Sequence, residues 1–148
     1  MDHVAIMKKS WHLTQKILTG EKTIESRWSM TRCAPWGRIK AGEKVYFKDA
    51  GEQVKVQAEV SRVLQLFLTP RRVRDILKRY GGRDGIGISD VNERDKFYRR
   101  FKGKRYCVLI FLKKPRRIAP FCISKKGFGI MAAWISVPDI DAIKILSR

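Results

Sequence analysis

Val54, Val56, Ala58 and Val60 alternate without a slip with Lys55, Gln57, Glu59 and Ser61. A strict period of two puts the two sets on opposite sides of a pleated strand. The segment therefore reads as a β-strand with one face in a core and one in water. Such a strand needs partners, and the chain supplies them. Val4-Ala5-Ile6-Met7, residues 22–28 and Val45-Tyr46-Phe47-Lys48 precede it as strand candidates. Residues 106–112 are apolar on both faces, as a central strand or barrel wall would be. Residues 118–123, 131–137 and 142–146 are further candidates.

Helices are expected between these strands. Ser10 is placed to cap a helix of about two and a half turns, with Leu13 and Ile17 on its apolar face and Gly20 at its end. Thr69-Pro70 opens a second helix, whose buried stripe is Val73, Ile76, Leu77 and Tyr80. Gly81-Gly82 ends it. The Gly-rich stretch 81–87 reads as a flexible loop, since no strand precedes it and no Lys-Ser/Thr follows as in a phosphate-cradling loop. A short helix around 93–101 follows, with Phe97 and Phe101 inward. Strands and helices do not alternate regularly, which excludes a doubly wound sheet. The expectation is one α+β domain over residues 1–148. It is a small mixed β-barrel of six or seven strands, with peripheral helices and a basic helical insert at about 69–102.

Charge speaks to partners. Lys and Arg number 33 against 14 for Asp and Glu, a formal net charge of +19 in 148 residues. The basic residues are interleaved with apolar ones throughout, so the charge belongs to folded surface rather than a tail. Such a balance favours a polyanion: RNA, DNA or an anionic membrane. No helix pairs a broad aromatic face with a basic one, so a membrane partner is not expected. No run reaches the ~18 apolar residues of a membrane span, and the start has no leader pattern. Cys33, Cys107 and Cys122 form neither a disulfide framework nor a zinc site. Cys107 and Cys122 read as core thiols, and the chain as cytoplasmic. His3 and His12 have no acidic cluster around them, so no metal and no cofactor are expected.

One short segment carries chemistry. Gly20, Lys22, Glu25 and Arg27 follow a helix end with the spacing Gly-x-Lys-x-x-Glu-x-Arg. On a strand, Glu25 and Arg27 point the same way. A guanidinium is a planar donor fork, and a carboxylate accepts from an exocyclic amine, so the two side by side can read a base edge. Lys22 would meet a phosphate as a point charge. An ordinary surface ion pair would leave the same trace in sequence.

The segment resembles the signature of the ASCH domain family. The order of elements around it agrees: a strand and helix before, a Gly-x-x-Val-x-Phe strand at 42–47 after, then the alternating strand and a late aromatic one, Met131-Ala132-Ala133-Trp134-Ile135. The likeness covers residues 4–66 well and 105–137 loosely; the helical segment 69–102 has no counterpart in it. The resemblance implies a PUA-like barrel, related to EVE and YTH domains, that binds RNA or a modified nucleoside in a cleft beside the barrel. It also implies an alternative, because some members are ribonucleases or amidohydrolases of an acylated cytidine, using a Lys and a Thr of the motif. Lys22 stands at that Lys, whereas Glu25 occupies the Thr position.

The expected function is nucleic-acid binding, RNA ahead of DNA, single-stranded or carrying a modified base. The expected site centres on Lys22, Glu25 and Arg27, with Trp28 and Trp36 as stacking surfaces and Lys48 beside them. Arg71, Arg72, Arg74, Lys78 and Arg79 on the second helix would track phosphates. So would Lys113, Lys114, Arg116 and Arg117, expected in a basic turn between strands. The alternative is a metal-independent ribonuclease or nucleoside amidohydrolase with Lys22 and Glu25 as catalytic residues.

Overall fold

The structure is a computed structural model that describes residues 1–145. Among the described residues seven strands are present: β1 (Asp2–Met7), β2 (Ile24–Ser29), β3 (Lys44–Asp49), β4 (Val54–Phe67), β5 (Tyr106–Ile123), β6 (Trp134–Val137) and β7 (Lys144–Ile145). Three helices join them: α1 (Leu13–Thr19), α2 (Pro70–Tyr80) and α3 (Val91–Phe101). The strands follow the order β2-β5-β4-β3-β1-β6, with β7 paired to the far end of β5. Only β1 and β3 run parallel; every other pair is antiparallel. This is the expected α+β class, with the sheet curled into a half-barrel. Among the described residues β2 and β6, the two ends of the order, do not pair with each other. No helix among those residues is long and apolar enough to cross a membrane.

The apolar pattern of β5 explains the layers. Val108 and Ile110 face the barrel interior with Ala5, Val45, Phe47, Val56, Ala58 and Val60. Cys107 and Leu109 face outward against α2 and α3, where they meet Ile24, Val73, Ile76, Leu77 and Phe101. A strand with a core on each side must be apolar on both faces. Burial pushes the Cys107 thiol pKa up; Cys122 is only half-buried.

Helix ends follow local chemistry for α2 and α3. The Thr69 side chain accepts the Arg72 N–H at 3.1 Å, and the Asp90 side chain accepts the Glu93 N–H at 2.8 Å. Gly20 ends α1 at φ 81°, in the left-handed region where glycine meets no Cβ penalty. The start of α1 differs from expectation. Ser10 lies inside a 3-10 turn over Lys9–Trp11, and His12, at φ 55°, sits at the N-cap without a capping side-chain bond.

Three more expectations are corrected. The segment 113–117 is not a turn between strands. It lies within β5, where Lys113, Arg116 and Arg117 pair with Glu59, Gln57 and Val56 of β4 across irregular register. A proline lacks the ladder N–H, so Pro115 sits where pairing skips, next to Lys114 at φ 52°. The stretch 81–87 is not a free loop. The Gly85 carbonyl accepts the N–H groups of Thr23 and Ile24 at 2.8 and 3.0 Å, the Glu21 carbonyl accepts the Asp84 N–H at 3.0 Å, and Ile86 is buried. The late strand starts at Trp134 rather than residue 131. The last expected strand is β7, with a 3-10 turn over Ile140–Ala142 before it; Leu146 lies outside the described residues.

A buried polar network ties β1 to β6 and to the β2–β3 connection. His3 is fully buried, with Nε2 at 3.0 Å from Glu43 Oε1 and Nδ1 at 2.9 Å from Ser136 Oγ. Burial lowers the His3 pKa from the ordinary imidazole value, against the pull of Glu43. For Glu43, burial acts to raise the pKa. It is outweighed by hydrogen bonds from the terminal ammonium, His3 and the Lys40 N–H, which hold the carboxyl at about 2. A carboxyl depressed in the fold stabilises above its unfolded value of 4.5, and that contribution disappears as pH falls toward 2. Glu43→Gln is therefore expected to melt below wild type at pH 6, with the gap closing by pH 2. Melting curves across that range check it; a gap independent of pH would show that the ionisation of Glu43 is not what stabilises the fold.

Candidate nucleic-acid interface

The half-barrel is open along one side, and the motif lies there. Glu25 and Arg27 point inward from β2 while Ile24 and Trp28 point outward toward α3, as the period of two requires. Arg27 spans the seam. Its Nη1 donates to the Ala133 carbonyl at 3.2 Å, and its Nη2 to the Ile6 carbonyl at 3.5 Å, the Met7 Sδ at 3.3 Å and Glu25 Oε2 at 3.4 Å. The guanidinium also lies 5.2 Å from the centre of the Trp134 ring. The fork expected to face a ligand thus holds β2 to β1 and to the residue before β6. Its Nε is buried with no partner, alone in this among the side-chain nitrogens and oxygens of the described residues.

Lys22 departs furthest from expectation. It is not at a strand edge open to phosphate, because its side chain is 1% exposed. Its Nζ donates to the carbonyls of Ile24 at 2.6 Å and Ile86 at 2.9 Å, and stands 3.6 Å from Glu25 Oε1. Burial pulls its pKa below the ordinary lysine value, with Glu25 pulling it back up. The three donors of an ammonium thus have three neighbours. The Gly-rich segment makes this possible. Gly87, at φ 91°, brings its backbone so close that a Cβ there would lie 3.0 Å from Lys22 Cβ. Glu25 is 3% exposed and also accepts the Ser26 N–H at 2.9 Å.

Beside this buried trio is a cavity of about 180 Å³. Trp11, Trp28, Phe97 and Phe101 supply aromatic lining, and Glu25 and Arg27 polar lining. Trp28 stacks on Phe101, with centroids 4.8 Å apart and planes within 7°, and its Nε1 donates to Ser26 Oγ at 2.9 Å. Trp11 meets Phe97 at 6.2 Å. Arg100 and Lys8 place cations 4.5 and 5.1 Å from the Trp11 ring centre. The volume is below the usual range for drug-sized ligands, about 300–1,000 Å³.

The fold has known counterparts. The structure superposes on the crystal structure of ASCH from Zymomonas mobilis with a TM-score of 0.66, covering 95% of this chain and 90% of that one at 18% identity. This chain has the ASCH-type fold. The N-terminal domain of Staphylothermus marinus McrB is also similar, with a TM-score of 0.55 over 95% of this chain and 90% of that one at 14% identity. No family model and no curated protein sequence matches the chain.

Within this ASCH-type fold the residues singled out from sequence fall into separate places. Lys22, Glu25, Arg27 and Trp28 come together at the cavity. Trp36 does not join them; half-buried, it packs on the barrel core and meets Phe67 and Tyr106 edge-on at 5.5 and 5.2 Å. Lys48 lines a different depression with Cys122 and Gln53, and burial lowers its pKa. Arg71, Arg72, Arg74, Lys78 and Arg79 are all exposed on α2. Three of them are engaged: Arg72 Nη1 donates to the Phe67 carbonyl at 2.9 Å, Arg74 lies 4.2 Å from the Tyr98 ring centre and Arg79 5.3 Å from that of Tyr80. Lys113, Lys114, Arg116 and Arg117 are exposed on β5 and do not line the cavity. Arg116 donates to Gln57 Oε1 at 3.0 Å.

Sequence reading missed Lys8, Phe97, Arg100 and Phe101 as site residues. A signal existed for α3. Glu93, Phe97 and Arg100 recur at i, i+4 and i+7, one helical face, and that face lines the cavity. Nothing local said that this face would meet β2.

Proposed function

We propose that this protein binds nucleic acid by holding one unstacked base in the aromatic cavity. The base comes from a single strand or carries a modification, and RNA is preferred to DNA. The observation that carries the reading is the cavity itself: base-sized, walled by Trp11, Trp28, Phe97 and Phe101, and bordered by a buried carboxylate in a chain of charge +19. Aromatic walls hold any base by its π-face. Glu25 retains lone pairs for an exocyclic amine, and Arg27 lines the same cavity. Arg100 and Lys8 flank the opening with positive charge. The resemblance of the motif to ASCH domains implies the same class of ligand.

The enzymatic alternative, a metal-independent ribonuclease or nucleoside amidohydrolase, needs Lys22 as an available amine. The carbonyls of Ile24 and Ile86 and the Glu25 carboxylate already surround that amine. Lys22 acts here as a counter-ion that positions Glu25.

The test uses labelled single-stranded RNA, duplex RNA and duplex DNA, with and without EDTA, scored for retention and for cleavage. Retention of single-stranded RNA without cleavage is expected. Trp28→Ala should then weaken retention by about 1–3 kcal/mol, one base–aromatic stack, while leaving the salt dependence unchanged. An unchanged affinity in a folded Trp28→Ala protein would refute the cavity as the binding site.

A further inference from the structure

Ile130 and Met131 are 89% and 91% exposed, two adjacent aliphatic side chains with almost no protein around them. They belong to the 124–133 connection between β5 and β6. Gly127 and Gly129 adopt φ of 88° and 90°. The Phe128 N–H donates to the Lys125 carbonyl at 3.0 Å and the Ala132 N–H to the Gly129 carbonyl at 3.2 Å. The Lys125 ammonium donates to the Ile130 carbonyl at 2.5 Å. A turn built by five such constraints holds its apolar residues out in water, where they contribute nothing to the core.

The end of the connection is tied to the cavity through Arg27. Ala133, two residues after Met131, gives its carbonyl to Arg27 Nη1 at 3.2 Å and to the Ile6 N–H at 2.9 Å. Arg27 and Ile6 both line the cavity. At no more than about 3.6 Å of chain per residue, Ile130 lies within about 11 Å of Ala133. That is about three base steps at 3.4 Å each. Lys125 and Lys126 flank the connection with positive charge, so the apolar pair approaches a polyanion without repulsion.

We propose that the 124–133 connection is a wedge for duplex nucleic acid: Ile130 and Met131 enter the base stack and fill the gap left by the base that turns out into the aromatic cavity. The inference rests on the cavity holding a base, and it extends the ligand from single strands to duplexes. Aliphatic wedges unstack a base step at a cost of a few kcal/mol, which the new contacts offset. Extrusion adds the cost of unpairing, least at a mismatched or damaged position. Atoms of the wedge replace the stacking surface the departing base gives up.

The experiment compares wild type with the double variant Ile130→Ser, Met131→Ser. Both positions are exposed, so the melting temperature should not move. The probes are an RNA and a DNA duplex of one sequence, each with one mismatched pair and a single 2-aminopurine next to it, and the labelled strands alone. Wild type should raise 2-aminopurine fluorescence in at least one duplex. The double variant should lose that rise and bind the same duplex about tenfold or more weakly, about 1.4 kcal/mol, while single-strand affinity stays unchanged. Duplex binding without a fluorescence rise would overturn the wedge. So would a double variant that keeps duplex affinity, or one that weakens duplex and single strand equally. Failure of the cavity reading is seen separately, as a Trp28→Ala protein with unaltered single-strand affinity.

Discussion

Glu25→Gln will lower the melting temperature by roughly 6–20 °C at pH 7, because it leaves a buried ammonium without its carboxylate. Breaking a buried pair by removing one partner costs about 3–5 kcal/mol, and each kcal/mol moves a domain of this size by about 2–4 °C. Lys22 is 1% and Glu25 4% exposed at the side chain, so water cannot replace the lost partner. The loss has a pH signature. Burial already depresses the Lys22 pKa, and Glu25 is what opposes the depression. Without Glu25 the folded-state pKa drops further below the unfolded value. Between those two values the unfolded chain binds more protons than the folded one, so stability rises with pH. The deficit of Glu25→Gln should therefore shrink from pH 7 to pH 10 as Lys22 sheds its proton in the fold. Lys22→Met combined with Glu25→Gln should be less destabilised than the sum of the two single changes. Thermal melts of the four proteins at pH 7 and pH 10 measure both effects. A Glu25→Gln protein that melts with wild type at pH 7 would mean that the pair contributes nothing. The same melts are needed to interpret any loss of RNA affinity in this variant, since a weakened scaffold would mimic a weakened base-reading bond.

If the chain binds nucleic acid as proposed, salt will weaken that binding steeply. If six phosphates are neutralised, log affinity falls against log salt with a slope of about −4 on single strands and about −5 on duplex DNA. A fourfold rise in salt then costs roughly 300-fold in single-strand affinity. Among the candidate cations, Arg71 and Arg72 on α2 and Arg116 and Arg117 on β5 are exposed and lie outside the cavity. Replacing all four with Ala should flatten the single-strand slope by about 0.7 for each phosphate that is no longer neutralised. It should weaken all sequences alike, because cations on the phosphates position the strand and do not read its bases. Titrations at four salt concentrations with two unrelated sequences read both quantities. A flat wild-type salt dependence would remove the nucleic-acid reading, and a weakened preference for one base would assign the four arginines to base recognition.

The strands were legible because burial on one face leaves a local mark. Val56, Ala58 and Val60 alternate because each second residue meets the barrel interior, and residues 107–110 are apolar throughout because both faces are covered. Thr69-Pro70 and Asp90 start helices through hydrogen bonds that reach only three residues along the chain. The motif was legible as a spacing. Its tertiary roles were not. Pro115 in a run of cations has the composition of a turn, yet the partner strand continues past it and the irregular register absorbs the missing donor.

The amino-acid sequence by itself determined most of the elements, the α+β class, the net positive charge, and the side on which Glu25 and Arg27 project. Only the tertiary structure decided what those side chains face. Lys22 is buried because Ile86 and Gly87, more than sixty residues away in sequence, close over it. Arg27 holds a seam because the two end strands of the half-barrel lie opposite each other without pairing. The cavity exists because Trp11, Trp28 and Phe97 arrive from three different elements. Periodicity and capping are set by neighbours within a few residues of the chain, whereas a cavity is set by which distant surfaces meet, and no local pattern encodes that meeting.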